Sequence, residues 1–330
     1  MDISIILCTF NRSATLRNAL ESAAAQSLPE SVRWEVLVVD NNSTDGTRQV
    51  AEEYCRKYPA RFRYIFEPQQ GKSNALNRGI REAQGQIFAF LDDDVTAEPD
   101  WLQNLTAPLR QHATWAGVGG RIAPPLNFSP PSWLLMDGPY EMAGILALFD
   151  KGRVPTELTE PPFGTNMAFR KQIFEKHGLF RPDLGPCPGS EIRGEDTEFG
   201  RRVLKAGERL WYEPSAVVHH GVPESRLRKE YFLRFLYDHG RASIREKGPQ
   251  PPVGFIPRLY LTASKIILSA LLGRTLAWLF TWNSAVRFQR KCMVWMNCGQ
   301  IAEIFHLLSQ GSVDGSNPPA VIATGKENRA

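Results

Sequence analysis

The chain has 330 residues, 42% of them hydrophobic, enough to bury a substantial core without disulfides. A net charge of +4 at pH 7 is too mild to argue for nucleic acid. The five cysteines, Cys8, Cys55, Cys187, Cys292 and Cys298, form no CxxC pair and no metal-ligand spacing, which suits a reducing compartment.

Met1-Asp2 followed by one short apolar run does not make a cleavable signal peptide, so the first domain is expected in the cytoplasm. Ile3 to Leu7 has strand length and leads through the polar Thr9-Phe10-Asn11-Arg12 into the helical spacing of Leu16, Leu20, Ala23 and Ala24. Glu35 to Val39 predicts a second strand ending at Asp40. Asn41 to Gly46 then supplies turn and cap chemistry before a helix from Thr47 to about Tyr58. Arg63 to Phe66 reads as a third strand, Lys72 to Ala83 as a third helix and Gln86 to Leu91 as a fourth strand. The repeat of strand, polar loop and helix predicts an α/β domain, a Rossmann-like and mostly parallel sheet with helices on both faces. Ligands bind such sheets at the carboxyl ends of the strands, the edge that Asp40 and the run Asp92-Asp93-Asp94 would share.

Three adjacent carboxylates leaving a buried strand repel one another, so they need a solvated turn or a positive ligand. There is no GxGxxG or GxxxxGK[ST] phosphate loop, and Gly71-Lys72-Ser73 is only a fragment of one. A nucleotide diphosphate can instead be held through Mg²⁺ or Mn²⁺ bridging carboxylates to phosphates. Extended backbone would send Asp92 and Asp94 to one side and Asp93 to the other. Farther along, Pro124 to Pro131 and Pro161-Pro162 read as active-site loops within the same domain. Gly194-Glu195-Asp196 opens a helix, where first-turn acids suit either the dipole or catalysis.

Taken in order, Ile5 to Arg12, Val38 to Thr47, Asp92-Asp93-Asp94 and Gly194-Glu195-Asp196 resemble family 2 glycosyltransferases with the GT-A fold, over about residues 1–240. The resemblance implies inverting, metal-dependent transfer of a single sugar from a nucleotide-sugar donor, commonly a UDP-sugar, to an acceptor hydroxyl, as in bacterial polysaccharide or glycolipid assembly. By position it implies that Asp40 reads the nucleobase, Asp92 and Asp93 face the donor nucleotide, and Thr9, Asn11 and Arg12 line its pocket. Asp94 would bind the Mn²⁺ or Mg²⁺ ion, with His220, just before Gly221-Val222-Pro223, as second ligand. Asp196 would be the general base, with Glu195 beside it. Lys72 and Arg226 are candidates for phosphate oxygens. Trp101 and Asn166 fall on the acceptor or sugar side, a buried asparagine serving the backbone being the alternative for Asn166. No Gln-x-x-Arg-Trp motif follows the base, which favours single-sugar transfer over polymerisation. The alternative function is a noncatalytic sugar-nucleotide-binding subunit of a polysaccharide assembly complex.

From Pro257 to Trp282 an apolar pattern is interrupted by Lys265 and Arg274, leaving no clean span of bilayer length. Trp278, Trp282 and Trp295, near Arg287, Arg290 and Lys291, fit a helix lying on a membrane surface across 257–295. The alternative is an apolar helical hairpin packed on the catalytic domain or on a second subunit. The expected organisation is a catalytic domain at 1–240, a C-terminal helical appendage at 241–310 and a disordered tail from 311. Such an enzyme would sit at the inner face of the cell membrane and act on a saccharide or lipid-linked saccharide.

Overall fold

The computed structural model describes residues 1–188, 192–246 and 256–311. The expected disordered tail and part of the loop before Gly194 lie outside these residues. Four strands, β1 (Ile3–Thr9), β2 (Trp34–Asp40), β3 (Phe62–Phe66) and β4 (Ile87–Asp92), run parallel in the order β3-β2-β1-β4. Helices α1 (Ser13–Ala24), α2 (Thr47–Lys57) and α3 (Lys72–Glu82) connect them. Continuous Val/Ile/Leu runs in β1 and β2 are buried along their whole length, as a parallel sheet covered on both faces requires.

The second half of the sheet changes direction. After β5 (Val95–Ala97), α4 (Trp101–Gln111), β6 (Trp115–Ala123) and β7 (Thr156–Leu158), strand β8 (Asn166–Arg170) inserts antiparallel between β4 and β6. Helices α5 (Lys171–His177) and α6 (Glu195–Lys205) lead to β9 (Arg209–His220), which runs parallel to β6 and antiparallel to β5 and β7. The core beneath is aromatic: Phe174 stacks on Phe199, and both touch Phe169 and Phe180.

Three helices end the described residues: α7 (Lys229–Glu246), α8 (Ile256–Leu279) and α9 (Ser284–Gly311). The boundary expected at residue 240 falls inside α7. Helices α7 and α9 cross at two glycines. A Cβ on Gly240 would stand 2.0 Å from the Met296 carbonyl oxygen, and one on Gly299 would stand 1.9 Å from that of Tyr237. Only residues without a side chain allow this approach. One turn on, the fully buried Glu303 of α9 accepts hydrogen bonds from Arg241 Nε at 2.8 Å and Arg245 Nε at 2.5 Å of α7. Removing one partner of a buried ion pair strands the other's charge, so Glu303→Ala is expected to destabilise the fold by about 3 kcal/mol, the low end because both arginines are partly solvated. A urea midpoint unchanged from wild type would contradict this.

The bundle docks on the sheet domain through Trp133, which packs edge-on against Phe232 of α7 and Phe288 of α9. Arg290 reaches Tyr140, and Arg274 of α8 donates to the buried Asn297 of α9. The charge interrupting the apolar run is thus used inside the bundle. Helix α8 still leaves Leu268, Leu272, Leu276 and Leu279 exposed at helical spacing, and Trp282 beyond it is fully exposed. Among the described residues no helix is long and apolar enough to cross a membrane.

Candidate active site

Strand β4 ends at Asp92, and Asp93-Asp94 turn the chain into β5. The expected alternation of the three side chains therefore stops at the first of them, and Asp92 and Asp94 serve different partners. The register of β4 with β8 pairs Leu91 with Asn166, which brings Thr165 beside Asp92. Asp92 accepts from Thr165 Oγ1 at 2.8 Å and from Lys72 Nζ at 2.7 Å.

Asp94 is placed by the other sheet edge. Val95 pairs with His220, and Gly221 N–H donates to the Asp94 carbonyl at 3.1 Å, so His220 Nε2 lies 3.5 Å from Asp94 Oδ1. Arg226, on a short 3-10 turn at Glu224–Leu227, brings Nη2 to 3.4 Å from Asp94 Oδ2. Burial works against the Asp94 charge, but His220, Arg226 and Arg12 outweigh it and hold the carboxyl well below its ordinary range. At its neighbour Asp93, Thr9 and Arg12 favour the charge but do not outweigh burial. Burial, with Asp94 and Asp92 adding, pushes the Asp93 carboxyl up to about 7.

Asp94 and His220 suit a divalent ion. The imidazole is 2% exposed, its Nε2 faces Asp94, and its Nδ1 has no hydrogen-bond partner among the described residues. Among the described residues no group of three or more His, Cys, Asp and Glu side chains could hold a metal ion. An Mg²⁺ or Mn²⁺ ion held by these two residues would need water or phosphate oxygens as its further ligands.

Helix α6 begins at Glu195, so both acids of Gly194-Glu195-Asp196 stand in its first turn. Asp196 is fixed at both oxygens. Oδ2 accepts from Gly164 N–H at 2.6 Å, and Oδ1 accepts from Thr197 N–H at 2.7 Å. Gly164 has little room for more, because an added Cβ would lie 3.0 Å from Asp196 Oδ2. Gly164 and Thr165 are consecutive, so one short segment ties Asp196 to Asp92.

Glu195 turns the other way and is 4% exposed, with Oε1 3.9 Å from Lys72 Nζ. Burial of Lys72 opposes its charge, but Asp92 and Glu195 more than compensate and raise its pKa. Burial, then Asp196, pushes the Glu195 carboxyl up to about 7 against the pull of Lys72. The folded protein therefore holds a proton that the unfolded chain releases near pH 4.5. The resulting stabilisation is complete below that value and is lost as pH rises through about 7. Glu195→Gln is accordingly expected to raise Tm relative to wild type more at pH 8.5 than at pH 5; equal differences at both pH values would contradict it.

These groups line a pocket of about 680 Å³. Thr9, Phe10 and Arg12 come from the end of β1, Lys72 from α3, and Asp92 to Asp94, His220 and Arg226 from the turns just described. Met142, Ile145 and Phe163 form a second wall. Tyr231, Phe235 and Leu236 of α7 and Met293 of α9 form a third.

A family model for glycosyl transferase family 2 matches residues 4–178. The chain belongs to that family. The glycosyltransferase is similar to the succinoglycan biosynthesis protein ExoM of Rhizobium meliloti, at 31% identity over 74% of this chain and 75% of the relative. It is also similar to a glucosyl-dolichyl phosphate glucuronosyltransferase of Haloferax volcanii, at 24% identity over 71% of this chain and 73% of the relative. Among solved structures, the mannosyltransferase PcManGT of Pyrobaculum calidifontis, in complex with GDP-Man and Mn²⁺, superposes with a TM-score of 0.57 at 19% identity, covering 95% and 88% of the two chains. TarS of S. aureus in complex with UDP gives 0.50 at 17%, covering 94% and 92%. The fold is the GT-A fold.

Several expected site residues of the transferase are spent elsewhere. Asn166 donates to the carbonyls of Arg121 and Ala216 and accepts from Trp101 Nε1 at 2.8 Å, and both side chains are wholly buried. They hold β6, β8, β9 and α4 together, which corrects the expectation that they face acceptor or sugar. Asn11 and Asp40 lie outside the pocket lining. Asn11, at φ 50°, ties its loop to Ser43 and Thr44. Asp40 is 1% exposed and accepts from Ser43 N–H and the Tyr64 hydroxyl. Both of its carboxylate oxygens are thus engaged within the protein. Lys72 is held by Asp92 and Glu195 rather than turned toward a phosphate. Conversely, sequence reasoning missed Phe10, Gly164, Thr165 and the walls from α7 and α9. Gly164-Thr165 stood beside Asn166 in the recognised strand, whereas nothing local marks Phe235 or Met293 as pocket residues.

Proposed function

We propose that this glycosyltransferase moves a single sugar, with inversion, from a nucleotide-sugar donor to an acceptor hydroxyl. The observation that carries the reading is the union of two acidic sites in one pocket: Asp92 and Asp196 are bound by consecutive residues Thr165 and Gly164. Asp196 sits in the pocket with its carboxylate held by two backbone N–H groups, so it needs no reorganisation to take the acceptor proton as the hydroxyl oxygen attacks the anomeric carbon. Attack from its side, opposite the leaving diphosphate, inverts that carbon. Asp94 and His220 would hold Mn²⁺ or Mg²⁺ on the diphosphate, and the ion would neutralise charge developing on the leaving group. Thr9, Phe10 and Arg12 line the pocket and would serve the nucleotide, Phe10 by stacking on a base.

For the acceptor we favour a lipid-linked saccharide used in polysaccharide or glycolipid assembly. The two walls that hold Met142 and Ile145, and Phe235, Leu236 and Met293, are apolar enough to take hydrocarbon; the Haloferax relative's name includes a dolichyl phosphate and the Rhizobium relative's name a polysaccharide. The exposed leucines of α8, bordered by Trp282 and the exposed Arg287, suit contact with an anionic lipid surface. The test of the reaction is product analysis by NMR after incubation with nucleotide-sugars and lipid-linked acceptors. An anomeric configuration opposite to that of the donor is expected; retention would contradict the mechanism.

A further inference from the structure

The contacts around Asp94 are individually poor. Arg226 Nη1 lies 3.3 Å and Asp94 Oδ1 3.5 Å from the same His220 Nε2, and Arg226 Nη2 lies 3.4 Å from Asp94 Oδ2. Charge-assisted hydrogen bonds close to about 2.7–2.9 Å when free to do so. One imidazole nitrogen also cannot serve both neighbours. Protonated, it opposes the guanidinium N–H; deprotonated, it aims a lone pair at the carboxylate. A proton on Nδ1 would free the Nε2 lone pair to accept from Arg226 or to ligate an ion, at the cost of a buried N–H without an acceptor, and it would still leave that lone pair facing Asp94. A compact cation between Asp94 Oδ1 and His220 Nε2, now 3.5 Å apart, would give both groups a better partner than they have in each other. The guanidinium supplies positive charge there from a turn outside the sheet, and its side chain is largely withdrawn from solvent.

We propose that Arg226 is an exchangeable counter-ion. Without donor it neutralises Asp94 and competes with a metal ion for that carboxylate. With donor, the ion takes over Asp94 and His220, and the freed guanidinium binds the donor's diphosphate, for which its planar fork is suited. Metal and nucleotide binding are thereby coupled through one side chain, and the enzyme does not hold its metal tightly until a donor arrives. The inference rests on the donor-binding reading given above.

Its test is Mn²⁺ titration followed by electron paramagnetic resonance of the free ion, with and without UDP or GDP, on wild type, Arg226→Ala and Arg226→Lys. Circular dichroism and thermal unfolding establish that each variant is folded. Arg226→Ala is expected to bind Mn²⁺ alone about tenfold more tightly and the nucleotide diphosphate with Mn²⁺ about tenfold more weakly, a coupling change within the range known for linked sites. Arg226→Lys keeps the competing charge and loses the fork, so it should resemble wild type toward Mn²⁺ alone and the alanine variant toward nucleotide. If wild type binds nucleotide with Mn²⁺ and Arg226→Ala matches it in both affinities, or shifts both in one direction, this inference alone is overturned. If wild type binds no nucleotide diphosphate with Mn²⁺, the donor reading falls and the inference with it.

Discussion

Asp196→Asn is expected to lower turnover by about 10²–10⁴-fold, the range for loss of a positioned general base, while donor affinity stays within about a factor of two. The amide has nearly the shape of the carboxylate, and one oxygen can still accept from Gly164 or Thr197 N–H. It cannot take a proton from an acceptor hydroxyl. Its NH₂ also meets one of the two backbone N–H groups that now hold the carboxylate, so the side chain has a reason to rotate. A companion Asp196→Ala variant separates these effects: if chemistry is lost through the base alone, both variants share the same low turnover. Paired measurements of kcat and of donor Kd by calorimetry decide the matter. Full turnover in Asp196→Asn would sink the base assignment and shift attention to Glu195, the only other acid in the first turn that approaches the pocket.

Asp94→Ala is expected to weaken metal-supported donor binding by more than about 100-fold, since loss of an outer-shell partner alone costs 10–100-fold. The variant leaves His220 and Arg226 facing each other without the anion that joins them. Added Mn²⁺ should then no longer improve nucleotide affinity, because a lone imidazole is a poor seat for Mg²⁺ or Mn²⁺. Asp92→Asn is the informative contrast. Asp92 is engaged by Lys72 and Thr165, so its loss should damage the pocket wall while sparing metal dependence. An Asp94→Ala protein that bound donor as wild type does, still with a requirement for Mn²⁺, would remove Asp94 from the metal site.

The parallel half of the fold was readable because each strand is an apolar run ended by acids or turn residues, a pattern that depends only on neighbours in sequence. The candidacy of Asp92 to Asp94 and Asp196 came from the resemblance of four short motifs to a family, and that of His220 from its place before Gly221-Val222-Pro223. What could not be read depends on register between distant segments. Insertion of β8 between β4 and β6 makes Asn166 and Trp101 a buried structural pair, although both are polar residues near recognised motifs. The turn at Asp93-Asp94 ends an alternation that the triplet itself suggests. Arg274 looked like an interruption of an apolar segment; its partner, Asn297, lies on the next helix. The same holds for α7 and α9, whose pocket-facing residues are indistinguishable in sequence from those of any amphipathic helix.

Calorimetric titration of the purified enzyme with UDP, GDP and dTDP, each in Mn²⁺ and in EDTA, tests the central claim most directly. Tight binding of one nucleotide in Mn²⁺, lost in EDTA, is the predicted result and names the donor class. Binding that is indifferent to EDTA, or no binding of any of the three, would contradict the account of Asp94 and His220 as the seat of a metal ion on a nucleotide diphosphate.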